Sequence, residues 1–233
     1  MEMEQVRQLI RERSPFSAQE TAQMLAVRFD HVPQRLTAAL EQWPLDRASV
    51  LDVGCGYGNC LIHFGPGSVG IDNGPEETEF VRALGLDVLR LDVEEPQALE
   101  GIGQFEYVWV SDMLEHLDAP RLLLRNLHPA VGGALLLHVS VLPGLTRSVM
   151  RRLGERPFEK DVHYHQWTAD TIQYLLRRAG YRTVRVLPVL PAKLRKVPMP
   201  VSFASRIIIE AVPDPQLLAT MRHSEARNKH LVA

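Results

Sequence analysis

The segment SVLDVGCGYG, residues 49–58, decides the fold. A short apolar strand carries the carboxylate of Asp52 and runs directly into glycines at every second position, Gly54, Gly56 and Gly58. Glycine at such a bend permits a positive φ and lets the backbone approach a ligand closely. A dinucleotide loop has the spacing G-x-G-x-x-G, whereas here the third glycine comes one residue early. Because Asp52 would repel a pyrophosphate, the segment favours a nucleoside ligand with a cationic, phosphate-free tail.

The chain after this segment alternates short apolar runs with helical stretches. The further runs are SVGID (68–72), DVLRLD (87–92), YVWVSD (107–112) and ALLLHVSV (134–141). Strands separated by helices, without hairpin turns, predict a parallel sheet wrapped by helices. We therefore expect an α/β fold: a Rossmann-like seven-stranded, mostly parallel sheet with helices on both faces.

Changes in sequence pattern set the expected domain boundaries. Apolar residues at helical spacing predict an N-terminal helical cap over residues 1–47, followed by the α/β domain over residues 48–233. Prolines are frequent in residues 188–215, which predicts an irregular Pro-rich insertion at about that position, before the last strand. Within this range, the run Ile207–Ile209 is compatible with either a strand or a buried helix. The end of the chain, KHLVA at residues 229–233, has the pattern of a strand.

The composition is that of an ordinary packed protein with little net charge. Among 233 residues, 26 Lys and Arg stand against 28 Asp and Glu, which gives a net charge of −2. This balance argues against a general nucleic-acid binder, but it does not exclude recognition of one particular RNA or protein, and it leaves the oligomeric state open. No stretch approaches the roughly 18 apolar residues of a membrane span, and the charged first residues lack the core of a secretory signal. We expect a cytoplasmic protein.

Aspartates recur at intervals of 20 residues, at Asp52, Asp72, Asp92 and Asp112. Each lies at or next to the end of a predicted strand. The carboxyl ends of parallel strands meet at the edge where open α/β sheets bind ligands. The alternative is that each aspartate caps the helix after its strand. Taken together, the four favour a polar ligand along this edge.

Successive motifs carry a family resemblance. They are VLDVGCGYG (50–58), GID (70–72), LD (91–92), YVWVSDMLEHL (107–117) and HYHQWTADTIQYLLRRAGY (163–181). Over residues of about 48–190 the chain resembles the class I S-adenosylmethionine-dependent methyltransferases. Within them it is similar to the small-molecule branch with an E-H-L signature after strand four. The resemblance implies S-adenosyl-L-methionine as the cofactor.

The resemblance also implies a set of cofactor-binding residues. Asp52 would lie near the methionine amine, Asp72 would take the ribose hydroxyls, and Asp92 would accept from the adenine amino group. For Asp92 the alternative is the cap of a turn before Glu94. The whole set is Asp52, Gly54, Cys55, Gly56, Asp72, Asn73, Asp92, Val93, Ser111 and Asp112.

Histidines are the candidates for proton transfer to or from the acceptor. An oxygen acceptor can require a base near neutral pKa, and His116 lies just after strand four. An orienting or structural role for His116 is the alternative. His138 lies inside the fifth strand and is expected to be buried there. The candidates for acceptor contact are His163, Tyr164, His165 and Trp167. We expect no metal site.

The function expected from this resemblance is methyl transfer to a small-molecule, or sugar- or lipid-linked, acceptor, which releases S-adenosylhomocysteine. One alternative is an acceptor in RNA or protein, docked on the basic cluster Lys193, Arg195 and Lys196. An alternative of another class is a non-catalytic, cofactor-binding partner protein.

Overall fold

The computed structural model describes residues 2–142, 164–190, 192–194 and 200–220. The strands are β1 (Val50–Val53), β2 (Val69–Asp72), β3 (Val88–Arg90), β4 (Phe105–Ser111), β5 (Val131–Ser140), β6 (Tyr181–Pro188) and β7 (Arg206–Pro213). The helices are α1 (Met3–Arg13), α2 (Ala18–Arg28), α3 (Gln34–Leu40), α4 (Pro75–Ala83), α5 (Pro120–Asn126) and α6 (Ala169–Arg178). In the described part of the chain, no helix is long and apolar enough to cross a membrane.

The strands of the described residues form one seven-stranded sheet in the order β3-β2-β1-β4-β5-β7-β6. β1 to β5 run parallel to one another, and β7 lies between β5 and β6 and runs antiparallel to both. The strand order reverses between β1 and β4, and ligands of open α/β sheets bind outside the carboxyl ends at such a point. The predicted Rossmann-like, mostly parallel sheet is confirmed.

Strand β5 shows that helices cover the sheet on both faces. Leu135 and Leu137 pack in a cluster with residues of α5 and α6, whereas Leu136 packs with residues of α3. All three leucines are fully buried, as expected for a central strand covered on both sides. Side chains alternate along a strand, so His138 lies on the α3 face with Leu136.

The N-terminal helices pack in two different places. Helix α3 contributes Leu36 to the cluster that contains Trp109 of β4, so it forms a layer of the core. The turn between α1 and α2 packs instead against α4, where the ring of Phe16 stacks on Phe80 with centroids 5.4 Å apart. The division into a cap of residues 1–47 and a domain of residues 48–233 stays a prediction.

The Pro-rich insertion is shorter than the sequence suggested. The prediction that it reaches residue 215 is wrong, because Arg206–Pro213 form β7. Ile207–Ile209 are buried and pair with β5 on one side and β6 on the other. Proline density is therefore a poor guide to where β7 lies. Pro213 is the last residue of the strand, where a missing N–H is tolerated. Residues 229–233, also expected to form a strand, lie outside the described residues.

Candidate cofactor site

The glycine loop after β1 is tied to the end of β2. The N–H of Gly54 donates to the carbonyl oxygen of Ile71 at 2.8 Å. Asp72 extends the connection, because its Oδ2 accepts from the N–H of Gly56 at 2.8 Å and its Oδ1 from the N–H of Gly74 at 2.9 Å. The Asp72 carboxylate therefore fixes the loops after both strands at the ligand edge of the sheet.

The loop leaves room for a ligand above it. Gly56 has a φ of +52°, and a Cβ added there would meet no described atom within 4 Å. A Cβ on Gly54, with a φ of +73°, would lie 2.9 Å from the Sδ of Met113. Met113 therefore covers the first glycine of the loop. Sequence reasoning missed this residue, because a methionine after a strand carries no signal of its own.

Asp52 lies buried beside this loop with one oxygen unpaired. Only 3% of the residue is exposed, and Oδ2 has no hydrogen-bond partner among the described residues. Burial raises the pKa of Asp52 to about 7; the charge of Arg35 lowers it, and the nearby Asp72 raises it. A buried carboxylate oxygen without a hydrogen-bond partner is stabilised by a cation, which fits the predicted place of Asp52 near a ligand amine.

Asp112, directly after β4, has partners on both oxygens. Its Oδ1 lies 3.2 Å from Nδ1 of His138, and its Oδ2 lies 3.7 Å from Nε of Arg35. Burial by itself would raise the pKa of Asp112. The hydrogen bond and charge of His138, with the charges of Arg35 and Arg206, hold that pKa below its usual range. Sequence reasoning missed Arg35, which α3 brings to the site from the N-terminal segment.

His138 is fully buried, as expected, but it is also part of the site. Its Nδ1 lies 3.2 Å from the Oγ of Ser111 as well as from Asp112. Its ring stacks on Trp109 with centroids 6.5 Å apart, and its Nε2 has no hydrogen-bond partner among the described residues. Sequence reasoning missed these contacts because β4 and β5 pair in space while their residues are far apart in the chain.

The remaining predicted cofactor residues lie along the same edge in different settings. Cys55 and Val93 are buried, whereas Asn73 is exposed. Asp92 is also exposed, and its Oδ1 accepts from the N–H of Glu94 at 3.0 Å. The turn cap that was the alternative for Asp92 is therefore present. Binding of adenine by Asp92 stays a prediction.

The E-H-L motif after β4 is joined to part of the predicted acceptor segment. The carbonyl oxygen of Glu115 accepts from the N–H groups of Tyr164 and His165 at 2.8 and 3.2 Å. The ring of His165 stacks on Trp167 with centroids 5.2 Å apart. These predicted acceptor residues therefore lie beside the end of β4, at the ligand edge.

The predicted base, His116, is at the end of the short 3-10 helix Leu114–His116, and its side chain is exposed. It differs in this from His138, which is enclosed under α3. His163 lies outside the described residues. Within the described ranges, no group of three or more His, Cys, Asp or Glu side chains is arranged to hold a metal ion.

The polar groups at this edge fit S-adenosyl-L-methionine. Its tail is an α-amino acid attached to a sulfonium, so it presents positive charge and a carboxylate together. The unpaired Oδ2 of Asp52 suits the ammonium group. The guanidinium of Arg35, whose buried Nε has no hydrogen-bond partner among the described residues, suits the carboxylate. The remaining acceptor capacity of Asp72 suits the two ribose hydroxyls.

Comparison with known sequences gives a family and a partial relative. A profile of the methyltransferase domain family matches residues 24–186, more than half of the chain. Ubiquinone biosynthesis O-methyltransferase from Xanthomonas oryzae pv. oryzae is 35% identical over 107 residues, 42% of this chain and 42% of that enzyme. The match thus spans less than half the length of these curated relatives.

Comparison with solved structures shows the fold. An S-adenosylmethionine-dependent methyltransferase from Clostridium acetobutylicum has a TM-score of 0.58 at 14% identity, covering 82% of this chain and 96% of its own. Magnesium protoporphyrin IX methyltransferase from Synechocystis, with bound S-adenosylhomocysteine, has a TM-score of 0.53 at 18% identity, covering 88% and 91%. With the family profile, the sheet order and the glycine loop in agreement, the chain belongs to the methyltransferase domain family of class I S-adenosylmethionine-dependent methyltransferases, and S-adenosyl-L-methionine is its cofactor.

Proposed function

We propose that this enzyme methylates a hydroxyl oxygen of a small molecule, or of a sugar- or lipid-linked intermediate. Binding of the cofactor at this edge is supported by the buried, unpaired Oδ2 of Asp52, which lies beside an open glycine loop. The oxygen acceptor is supported by the O-methyltransferase relative, which shares 35% identity over 107 residues.

Methyl transfer from the sulfonium to a hydroxyl oxygen requires no oxidant or reductant. An oxygen lone pair of the acceptor forms the new C–O bond, and the electron pair of the breaking C–S bond stays on sulfur. S-adenosyl-L-methionine, when bound, supplies an already activated methyl group and leaves as S-adenosylhomocysteine. The acceptor loses its proton to water. The chain therefore has mainly to align the two reactants and to exclude competing water.

Alignment of the cofactor follows from the residues around the glycine loop. Asp72 holds the loop through Gly56 and accepts hydrogen bonds from the ribose hydroxyls. Asp52 and Arg35 bind the two charged ends of the amino-acid tail, which places the sulfonium near Met113 at the end of β4. The cap of residues 1–47 belongs to this proposal, because α3 within it supplies Arg35.

The first test is calorimetric titration with S-adenosylhomocysteine, with NADH as the comparison ligand. We expect micromolar binding of S-adenosylhomocysteine, of the order of 1–100 μM, and no binding of NADH, because Asp52 repels a pyrophosphate. Binding of NADH alone would overturn the assignment of the site. Binding of neither ligand would contradict the assignment of this site to the cofactor. Binding of S-adenosylhomocysteine without turnover of any acceptor would favour the non-catalytic, cofactor-binding alternative.

The second test identifies the acceptor. The protein is incubated with S-adenosylmethionine labelled at the methyl group and with separate panels of phenols and catechols, sugars, lipid-linked alcohols, RNA and protein. We expect label in a hydroxyl-bearing small molecule. Label in RNA or protein would overturn the acceptor class and direct attention to the basic cluster, of which the structure describes Lys193.

A further inference from the structure

The turn that follows β4 is held in a conformation that costs free energy. Asp112 has a φ of +48°, in the left-handed region, which aspartate adopts more readily than most residues other than glycine but still at a cost. Strain of this kind persists only where surrounding contacts enforce it, and it concentrates at functional sites. The contacts that hold Asp112 therefore indicate what the turn is for.

His138 holds Asp112 by both its backbone and its side chain. The N–H of Asp112 donates to the carbonyl oxygen of His138 at 3.1 Å, and Oδ1 of Asp112 lies 3.2 Å from Nδ1 of the ring. The ring is fully buried and stacks on Trp109, so its position is fixed by the sheet. An ionised carboxylate can only accept a hydrogen bond, so Nδ1 of His138 carries the proton and donates the hydrogen bond to Oδ1 of Asp112.

This clamp keeps the Asp112 carboxylate at the point where methyl transfer has to occur. β4 is the neighbour of β1 across the reversal of strand order, with Val110 in register with Val53. Met113, the residue after Asp112, covers Gly54 of the cofactor loop. The Asp112 side chain is nevertheless 39% exposed, so a second molecule can reach it.

We propose that Asp112 accepts a hydrogen bond from the hydroxyl group of the methyl acceptor, and that His138 is the positioning residue that aims it. The inference rests on the proposed function. The hydrogen bond turns an oxygen lone pair towards the methyl group. As the C–O bond forms and the C–S pair moves to sulfur, the hydroxyl proton passes along the exposed side of the carboxylate to water. His138 is enclosed and cannot touch the acceptor, so its effect comes through Asp112.

The central test separates an acceptor role of Asp112 from a cofactor role. Asp112→Asn keeps the size of the side chain and removes its charge. We expect turnover of the best acceptor from the labelling panel to fall by about tenfold or more, while the Kd for S-adenosylhomocysteine changes by less than about threefold. A large change in that Kd with unchanged turnover at saturating cofactor would assign Asp112 to the cofactor and overturn the proposal.

His138 variants test the positioning role. His138→Leu removes the donor, whereas the amide of His138→Asn can still donate to Asp112. His128→Leu is the matched control, because it removes a histidine ring that stacks on Tyr181 before the start of β5, away from the ligand edge. We expect the Leu variant to lose turnover and to raise the pKa of Asp112, measured by carboxyl ¹³C NMR. The Asn variant should keep most of the turnover and most of the lowering of the Asp112 pKa. The control should match the parent protein in both quantities.

The results for the variants and for the parent protein distinguish a failure of this inference from a failure of the proposed function. Full turnover in His138→Leu with a raised pKa of Asp112 would overturn the positioning role and leave the methyltransferase proposal intact. If the Leu variant does not fold, the Asp112→Asn result decides alone. If the parent protein binds S-adenosylhomocysteine but labels no hydroxyl-bearing acceptor, the proposed function fails, and this inference fails with it.

Discussion

The ends of β1 and β4 carry the same side chain in opposite electrostatic states. Asp52, the third residue of β1, is buried with an unpaired oxygen and a pKa raised to about 7. Asp112, on the neighbouring strand, is 39% exposed, has partners on both oxygens and has a lowered pKa. Pairs of titratable groups whose surroundings drive their pKa values apart are typical of sites with two distinct tasks. The difference indicates that Asp52 is suited to bind a cation, whereas the neighbours of Asp112 stabilise its ionised form.

The two ends also differ in how the chain builds them. The β1 end is assembled from residues close in sequence, with Asp72 bonded to the loop that begins two residues after Asp52. The β4 end combines Asp112 with Arg35 of α3 and His138 of β5. A site built from one local segment depends on backbone geometry, whereas a site built from distant segments depends on the packing of the whole domain.

Removal of the carboxylate that organises the β1 end should have the largest effect. Asp72→Ala loses the acceptor for the N–H groups of Gly56 and Gly74 and for the ribose hydroxyls. Charge-assisted hydrogen bonds of this kind contribute a few kcal/mol, so we expect the Kd for S-adenosylhomocysteine to rise by about 100-fold. Calorimetry measures this, with thermal unfolding as the control for folding. Unchanged affinity in a folded variant would remove Asp72 from the site.

The raised pKa of Asp52 predicts that cofactor affinity depends on pH. In the free protein this carboxyl is protonated below about pH 7 and ionised above it, and the ligand ammonium binds the ionised form. With that midpoint, the Kd for S-adenosylhomocysteine should rise by about tenfold from pH 8 to pH 6. Calorimetry at the two pH values measures the change.

Two controls tie this dependence to Asp52. Asp52→Asn does not titrate, so its weaker affinity should be nearly constant over the same range. Adenosine lacks the ammonium group, so its affinity for the parent protein should also stay constant. A slope that survives in Asp52→Asn would show that another group titrates.

Some features of the site could be predicted from the sequence, and others depend on tertiary contacts. The glycine loop and Asp72 are local features of a strand and the turn after it, so motif and spacing predicted them. Arg35 and the contact of His138 with Asp112 are tertiary, and in one sequence an arginine on a helix or a histidine in a strand looks like any other. The apolar run of residues 207–209 is compatible with a strand or a buried helix, and the prolines around it favoured an irregular insertion, so the sequence did not predict the extent of β7.

Asp92 tests whether the cofactor edge extends to β3. Its carboxylate already accepts from the N–H of Glu94 and is exposed, so a further hydrogen bond to the adenine amino group competes with water. We expect Asp92→Ala to raise the Kd for S-adenosylhomocysteine by about fivefold. S-inosylhomocysteine lacks the amino group of the base, although it keeps that of the amino-acid tail, and it should bind the variant and the parent equally. Equal weakening of both ligands would show that only the turn is affected.

The smallest effect on cofactor binding is expected at His116. Its side chain is exposed at the end of the short 3-10 helix that follows β4. His116→Ala should leave the Kd for S-adenosylhomocysteine within about twofold, because no cofactor donor is lost. Turnover should fall less than in Asp112→Asn, since a hydroxyl already aligned by Asp112 needs little further help from a base. A larger loss of turnover in His116→Ala than in Asp112→Asn would make His116 the base and reduce Asp112 to a secondary role.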